Sequence, residues 1–233
     1  EFLDWGIFNH EENFLPAWRK YKKALAQRNA LLKTRNIGQI HVWDKELVNY
    51  GTIVNHYREQ YLEKLKPVLA KTVNKFLALD DIKIGLISGW DTAKGLDHLL
   101  VDDLEKDLRY GFTHSGPHRA DFQLLVNAIL AKDIVSRGQL KLLVICLKLA
   151  QVELIFKERE GFGCILMDDF AAELDKTNRA KILNFLNEIQ SQVFITATEI
   201  NDFGDLKAIT NYKMFHVEQG KIEEVNVPCG TSF

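Results

Sequence analysis

The sequence predicts a chain of two textures, an all-α half followed by an α/β half, and three observations carry that prediction. Apolar residues recur at helical spacing through the first hundred or so positions. After Gly111 short apolar runs of strand length alternate with helical stretches. The texture changes near residue 110, so the expected domains are 1–110 and 111–233. With 233 residues, 46% hydrophobic and 27% charged, the chain can bury the core of one or two domains.

In the first half, Trp18, Tyr21, Leu25 and Leu32 are spaced by three, four and seven, as on one face of a helix. His56, Tyr57, Tyr61, Leu65, Val68, Leu69, Val73 and Leu77 continue a similar stripe, so both stretches are expected to be long amphipathic helices. Ile82 to Ile87 alternates and ends at Ser88-Gly89, which predicts a short strand before another helix from about Ala93 to Lys106. In the second half Phe122 to Val126, Cys164 to Met167 and Gln192 to Thr196 are strand-length apolar runs, and a mostly parallel sheet fits them best. Cys164 to Met167, apolar without a break, is expected to be covered on both faces. Met214 to Val217, a Gln219-Gly220 turn and Ile222 to Val227 predict a hairpin.

Composition excludes several classes. The formal charge of −2 gives no global basic field, so any nucleic-acid contact must come from local clusters. No apolar run approaches the length needed to span a bilayer, and Glu1-Phe2-Leu3-Asp4-Trp5 does not begin like a signal peptide. A soluble cytoplasmic protein with no membrane partner is expected. Cys146, Cys164 and Cys229 are odd in number and far apart, which argues for buried free thiols rather than a disulfide framework or zinc site.

Two motifs carry chemistry. Ser136-Arg137-Gly138-Gln139 opens a helix that continues through Leu140, Leu143, Leu147, Leu154 and Ile155. Read plainly it is a capping box, with Ser136 accepting from a backbone N–H and Gln139 reaching back. Read functionally it is a phosphate site, where free N–H groups, the dipole, the serine hydroxyl and the arginine charge converge. Gly138 is a poor choice for a first helical turn unless another group must approach the backbone.

The second motif is Asp168-Asp169, at the carboxyl end of the run Cys164 to Met167, where ligands of open α/β sheets bind. There the first carboxylate can hold Mg²⁺ and the second can orient or deprotonate an attacking water. An Asp-Asp pair can also simply start a loop, but adjacent like charges repel and call for a cation. Asp175 precedes a helix bearing Ile182, Leu183, Leu186 and Ile189, and its simple role is an N-cap.

Between Ala17 and Arg35 lie seven basic residues, Arg19, Lys20, Lys22, Lys23, Arg28, Lys33 and Arg35, and no acidic ones. They form either a solvated helix face or a DNA-phosphate contact, for which Arg19, Lys20, Lys22, Lys23 and Arg28 are the candidates. Gly116-Pro117-His118-Arg119 looks like a rigid turn presenting His118 and Arg119.

Taken together, SRGQLKLL, CILMDDFAAELD, QVFIT, GPHRAD, FLDWGIF and QRNALL stand in an order and spacing that closely resembles the RecF family of bacterial recombination-mediator ATPases, of the SMC/ABC class. The resemblance runs from Phe2 to about Val225. It implies the C-terminal half of an ABC/SMC-type ATPase head, with a helical arm domain in residues 1–110. By that resemblance Ser136, Arg137, Gly138 and Gln139 stand for the ABC signature, which meets a nucleotide held by another subunit. Asp168 stands for the Walker B magnesium ligand, Asp169 for the catalytic carboxylate, and Glu173-Leu174-Asp175 for the D-loop at a dimer interface. His118 and Arg119 would be nucleotide-proximal or at an interface.

Two departures stand out. Val135 replaces the signature's usual leading leucine, and Thr196-Ala197-Thr198 occupies the place where many ABC proteins carry a switch histidine. No G-x-x-x-x-G-K-S/T loop occurs in these residues, so the chain is expected to be a portion without the P-loop lobe, neither binding ATP tightly nor hydrolysing it alone. The intact protein is expected to use ATP and Mg²⁺, to dimerise on ATP, to bind double-stranded DNA and single-strand/double-strand junctions, and to load recombinase with RecR and RecO-type partners. A noncatalytic DNA- or partner-binding module and a stand-alone Mg²⁺ hydrolase are the alternatives.

Overall fold

The computed structural model describes residues 1–158, 163–169, 174–189, 191–204, 206, 209 and 211–225. The longest elements are helices: α1 (Phe2–His10), α2 (Phe14–Thr34) and α3 (Ile40–Phe76). On α2 the buried face is Phe14, Ala17, Tyr21, Ala24, Arg28 and Leu32, at spacings of three and four. That face packs on α3, whose own stripe includes Leu47, Val54, Leu65, Leu69 and Val73. Arg35 ends α2 in the left-handed region at φ 54°, and the chain returns through a single 3-10 turn.

α3 is the spine. It contacts α1, α2, β1 (Ile82–Ile87), α4 (Leu96–Asp102), α7 (Arg137–Glu158) and α8 (Lys176–Glu188), and one continuous core joins Leu65 and Val73 to Ile84, Val126, Leu143, Ile182 and Leu186. Each fully buried aliphatic side chain of that set contributes about 1.5–3 kcal/mol. The helix expected over Ala93 to Lys106 is instead two, α4 and α5 (Leu104–Tyr110), meeting at Asp103, whose carboxylate accepts a 2.6 Å hydrogen bond from the Ser115 hydroxyl.

The expectation of a mostly parallel sheet is corrected. Among the described residues β1 pairs antiparallel with β2 (Asp121–Val126), Ile84 opposite Leu124, and β2 pairs antiparallel with β3 (Ile129–Leu130). β4 (Cys164–Met167) and β5 (Gln192–Ile195) form a parallel pair, and β6 (Met214–Glu218) with β7 (Lys221–Val225) is an antiparallel hairpin. Runs of β-formers mark strands but do not name their partners. The predicted hairpin is present, with Gln219 at φ 48° and Gly220 at φ 78° in its turn. The short α6 (Ala131–Ile134) leads from β3 to the serine turn.

Cys164 to Met167 is not covered on both faces. Ile165 is buried, but Leu166 is 76% exposed and faces Phe194, 52% exposed, across the β4–β5 ladder. Cys146 is a buried free thiol as expected, Cys164 is exposed, and Cys229 lies outside the described residues. No helix of the described residues is long and apolar enough to cross a membrane.

Candidate functional site

The serine turn sits at the N-terminus of the 22-residue helix α7. The Ser136 N–H donates to Gln139 Oε1 at 2.9 Å, and the Gln139 N–H donates to Ser136 Oγ at 3.2 Å, so the reciprocal capping box is formed. Ser136, Arg137 and Gly138 are exposed. A methyl group added at Gly138 would meet nothing within 4 Å, so no neighbour within this structure demands glycine there. The turn is an open helix N-terminus carrying a hydroxyl and a guanidinium, a chemistry suited to an anion.

The carboxylate pair lies where β4 leaves the sheet. The Thr196 N–H, just past β5, donates to the Met167 carbonyl at 2.9 Å and continues the ladder by one residue. The Thr196 hydroxyl then donates to Asp168 Oδ1 at 2.5 Å and accepts from the Asp169 N–H at 2.9 Å. Asp169 itself is exposed and left-handed at φ 50°, which turns the chain away from the strand. Asp168 therefore has one oxygen held by Thr196, and both Asp168 and Asp169 are exposed side by side. This donor set suits magnesium, which is commonly held by one or two carboxylates while phosphate and water complete its shell. Among the described residues no three His, Cys, Asp or Glu side chains gather as a self-sufficient metal cage.

Thr196 is the residue that sequence reasoning missed. It stood out there only for not being histidine. Its place beside β4 follows from the parallel register, Met167 opposite Ile195, which the sequence does not print.

Asp175 caps α8. Its Oδ1 accepts the Asn178 N–H at 2.8 Å and its Oδ2 accepts from Asn178 Nδ2 at 2.8 Å. Glu173 lies outside the described residues.

Arg28 is not available to DNA. It is wholly buried, donating to Asp44 at 2.6 Å, to Asp107 at 2.5 Å, to the Thr113 hydroxyl at 2.9 Å and to the Leu100 carbonyl at 3.2 Å. The reason is periodicity: Arg28 falls on the Tyr21–Ala24–Leu32 face that packs inward. Arg19, Lys20, Lys22 and Lys23 are exposed.

His118 is likewise turned inward rather than presented. Its Nε2 donates to the Thr113 carbonyl at 2.9 Å, so Nδ1 accepts from the Tyr21 hydroxyl at 2.6 Å. Burial lowers its pKa, and Arg119 and Lys22 lower it further while Asp107 opposes them. Both ring nitrogens serve the fold, and Arg119 alone of the pair is exposed. The turn before it requires glycine: Gly116 has φ 142°, and a Cβ there would lie 2.7 Å from the Tyr21 oxygen. Arg58 ties the same turn to α1, donating to the Pro117 carbonyl at 2.7 Å and to both oxygens of Asp4 at 2.7 and 2.8 Å.

Comparison with known proteins agrees with this architecture. The chain is 39% identical over 229 residues to the DNA replication and repair protein RecF of Shewanella halifaxensis (strain HAW-EB4), covering 98% of this chain and 63% of that protein. To RecF of Vibrio atlanticus (strain LGP32) it is 41% identical over 228 residues, covering 96% and 62%. A solved structure of the recombination mediator protein RecF with ATP, in the RecFOR pathway, superposes with a TM-score of 0.78 at 26% identity, over 97% of this chain and 62% of that one. The chain thus spans about 62% of the length of these relatives. The family described as RecF/RecN/SMC N terminal domain matches residues 38–223, most of the chain, and the chain belongs to that family.

Proposed function

We propose that this chain supplies the signature and Walker B portions of a RecF-like ATPase head that acts in DNA repair. The observation that carries the reading is the pairing of two built constellations: a capped, exposed helix N-terminus with Ser136, Arg137, Gly138 and Gln139, and a parallel strand edge where Thr196 grips Asp168 beside Asp169. In this reading Ser136 to Gln139 meet the γ-phosphate of ATP held by a second subunit. Asp168 holds Mg²⁺, which neutralises phosphate charge when bound, and Asp169 orients or deprotonates the attacking water. Asp175 lies at the dimer contact.

The phosphate-cradling loop comes from outside these 233 residues, and two facts support that. RecF relatives are longer, and among the described residues the Leu166–Phe194 face of the β4–β5 pair is apolar and uncovered. ATP-dependent dimerisation follows, because each composite site needs both subunits. The helices of residues 1–110 form an arm, and the exposed Arg19, Lys20, Lys22 and Lys23 of α2 contact the phosphates of double-stranded DNA, including single-strand/double-strand junctions. RecR and RecO-type proteins are the expected partners in recombinase loading, an assignment supported by the RecFOR pathway of the solved relative.

The test is to join the chain to the N-terminal lobe of a RecF relative and measure DNA-stimulated ATP hydrolysis. Asp169→Asn is expected to lower turnover by about 10²- to 10⁴-fold. Unchanged hydrolysis by that variant sinks the assignment, and a joined protein that binds DNA without hydrolysing ATP favours a noncatalytic binding module.

A further inference from the structure

The end of α5 and the loop after it carry a cluster of rings used by neither half-site above. Tyr110, Phe112 and His114 lie with ring centroids 6.2 Å (Tyr110–Phe112), 5.3 Å (Tyr110–His114) and 4.3 Å (Phe112–His114) apart. Tyr110 is 58% exposed and Phe112 37% exposed. Two exposed guanidinium groups lie against the same rings, Arg109 at 5.8 Å from the Tyr110 centroid and Arg119 at 6.0 Å from that of Phe112. The stem of Lys33 borders the turn, its Cγ 3.3 Å from where a side chain at Gly111 would begin.

This patch is preformed. Gly111 closes α5 in the left-handed region at φ 74°. The Asn29 side chain accepts both the Thr113 N–H and the Thr113 hydroxyl at 2.8 Å, and Asp107 accepts the His114 N–H at 3.0 Å and contacts its Nδ1 at 2.7 Å. Asp107, the acid beneath the rings, is paired inside with Arg28, which it shares with Asp44. Exposed rings held rigid and rimmed by arginine match a nucleobase between phosphates better than an apolar protein surface, because every base offers a π-face and every nucleotide an anion. Little entropy is lost on docking against a surface already ordered.

We propose that Tyr110 and Phe112 are a stacking platform for an unpaired base of single-stranded nucleic acid, with Arg109 and Arg119 taking the adjacent phosphates. The inference rests on the nucleic-acid role proposed above, and it names a different element and a different ligand form from the basic face of α2. A paired base keeps its faces covered by its neighbours, so the platform distinguishes single strand from duplex.

The experiment titrates the chain into a fluorescein-labelled oligo-dT of about 20 nucleotides and, separately, a duplex of the same length, read by anisotropy at low salt. Phe112→Ala and Tyr110→Ala are each expected to weaken oligo-dT binding by about 5- to 100-fold while changing duplex binding less than about twofold. Phe112→Trp keeps the ring and is expected to retain binding. Neutralising Arg19, Lys22 and Lys23 to Gln is expected to weaken the duplex. Equal melting temperatures by circular dichroism confirm that each variant is folded. Oligo-dT binding unaffected by Phe112→Ala, or single strand and duplex weakened alike, overturns the platform and leaves the α2 contact standing; binding of neither ligand sinks both.

Discussion

Arg28 shows how a single residue can look functional in sequence and be structural in the fold. In the chain it is one of seven cations in a stretch free of acids. In the fold it joins α2 to Asp44, to Asp107 and to the loop at Thr113. Removing one partner of a buried ion pair leaves the other charge uncompensated, so Arg28→Met is expected to cost about 3–5 kcal/mol in urea unfolding. A loss below about 1 kcal/mol, the value of an exposed pair, contradicts this account. His118 makes a second residue-level prediction. Its folded pKa is lowered while the unfolded chain titrates near about 6.5. Below that pH the unfolded chain takes up a proton the folded chain resists, so stability falls as pH drops through about 6.5 and levels off below the folded value. His118→Asn is expected to flatten the unfolding free energy between about pH 7.5 and 5.5; an unchanged slope contradicts the buried neutral imidazole. The serine cap and the Asp175 cap were legible in sequence because capping is local. The partners Asp107 of Arg28 and Tyr21 of His118 were not, because they lie 79 and 97 residues away.

At the scale of elements, period predicted type well and pairing poorly. The long stripes of α2 and α3 are helices, and the alternating runs at Ile82 and Met214 are strands. Phe122 to Val126 is a strand too, antiparallel to β1, and Asn127 and Ala128, at φ 51° and 64°, fold it straight back into an antiparallel β3. Asn is at home there and Ala is not, so that turn left no clear sign in the sequence. Ala128→Gly relieves the left-handed cost and gives back part of it as unfolded-chain entropy, for a net gain of about 0.5–1 kcal/mol. A rise in Tm of about 1–4 °C is expected, and a fall contradicts the turn geometry. β4 is the other element misjudged. A run apolar without a break predicted cover on both faces, and the cover for Leu166 and Phe194 is absent from this chain's described residues.

At the scale of the molecule, α3 carries the core from the α1–α2 helices to α7 and α8, so the basic surface of α2 and the two half-sites are mounted on one packed body. The half-sites have separate partners: the turn bonds to itself, and the Asp168 carboxylate and Asp169 N–H bond to Thr196. That separation is what the proposed site shared between subunits requires. The direct test uses the chain joined to a P-loop lobe, in two variants, Ser136→Arg and Asp169→Asn, each expected to be inactive alone as a symmetric dimer. Mixed in equal amounts, half of the dimers are mixed, and each of those holds one site built from the intact signature of one subunit and the intact carboxylate of the other. The account predicts recovery of roughly a quarter of the parent's DNA-stimulated ATP hydrolysis on mixing. Activity no greater than the sum of the two variants would contradict it.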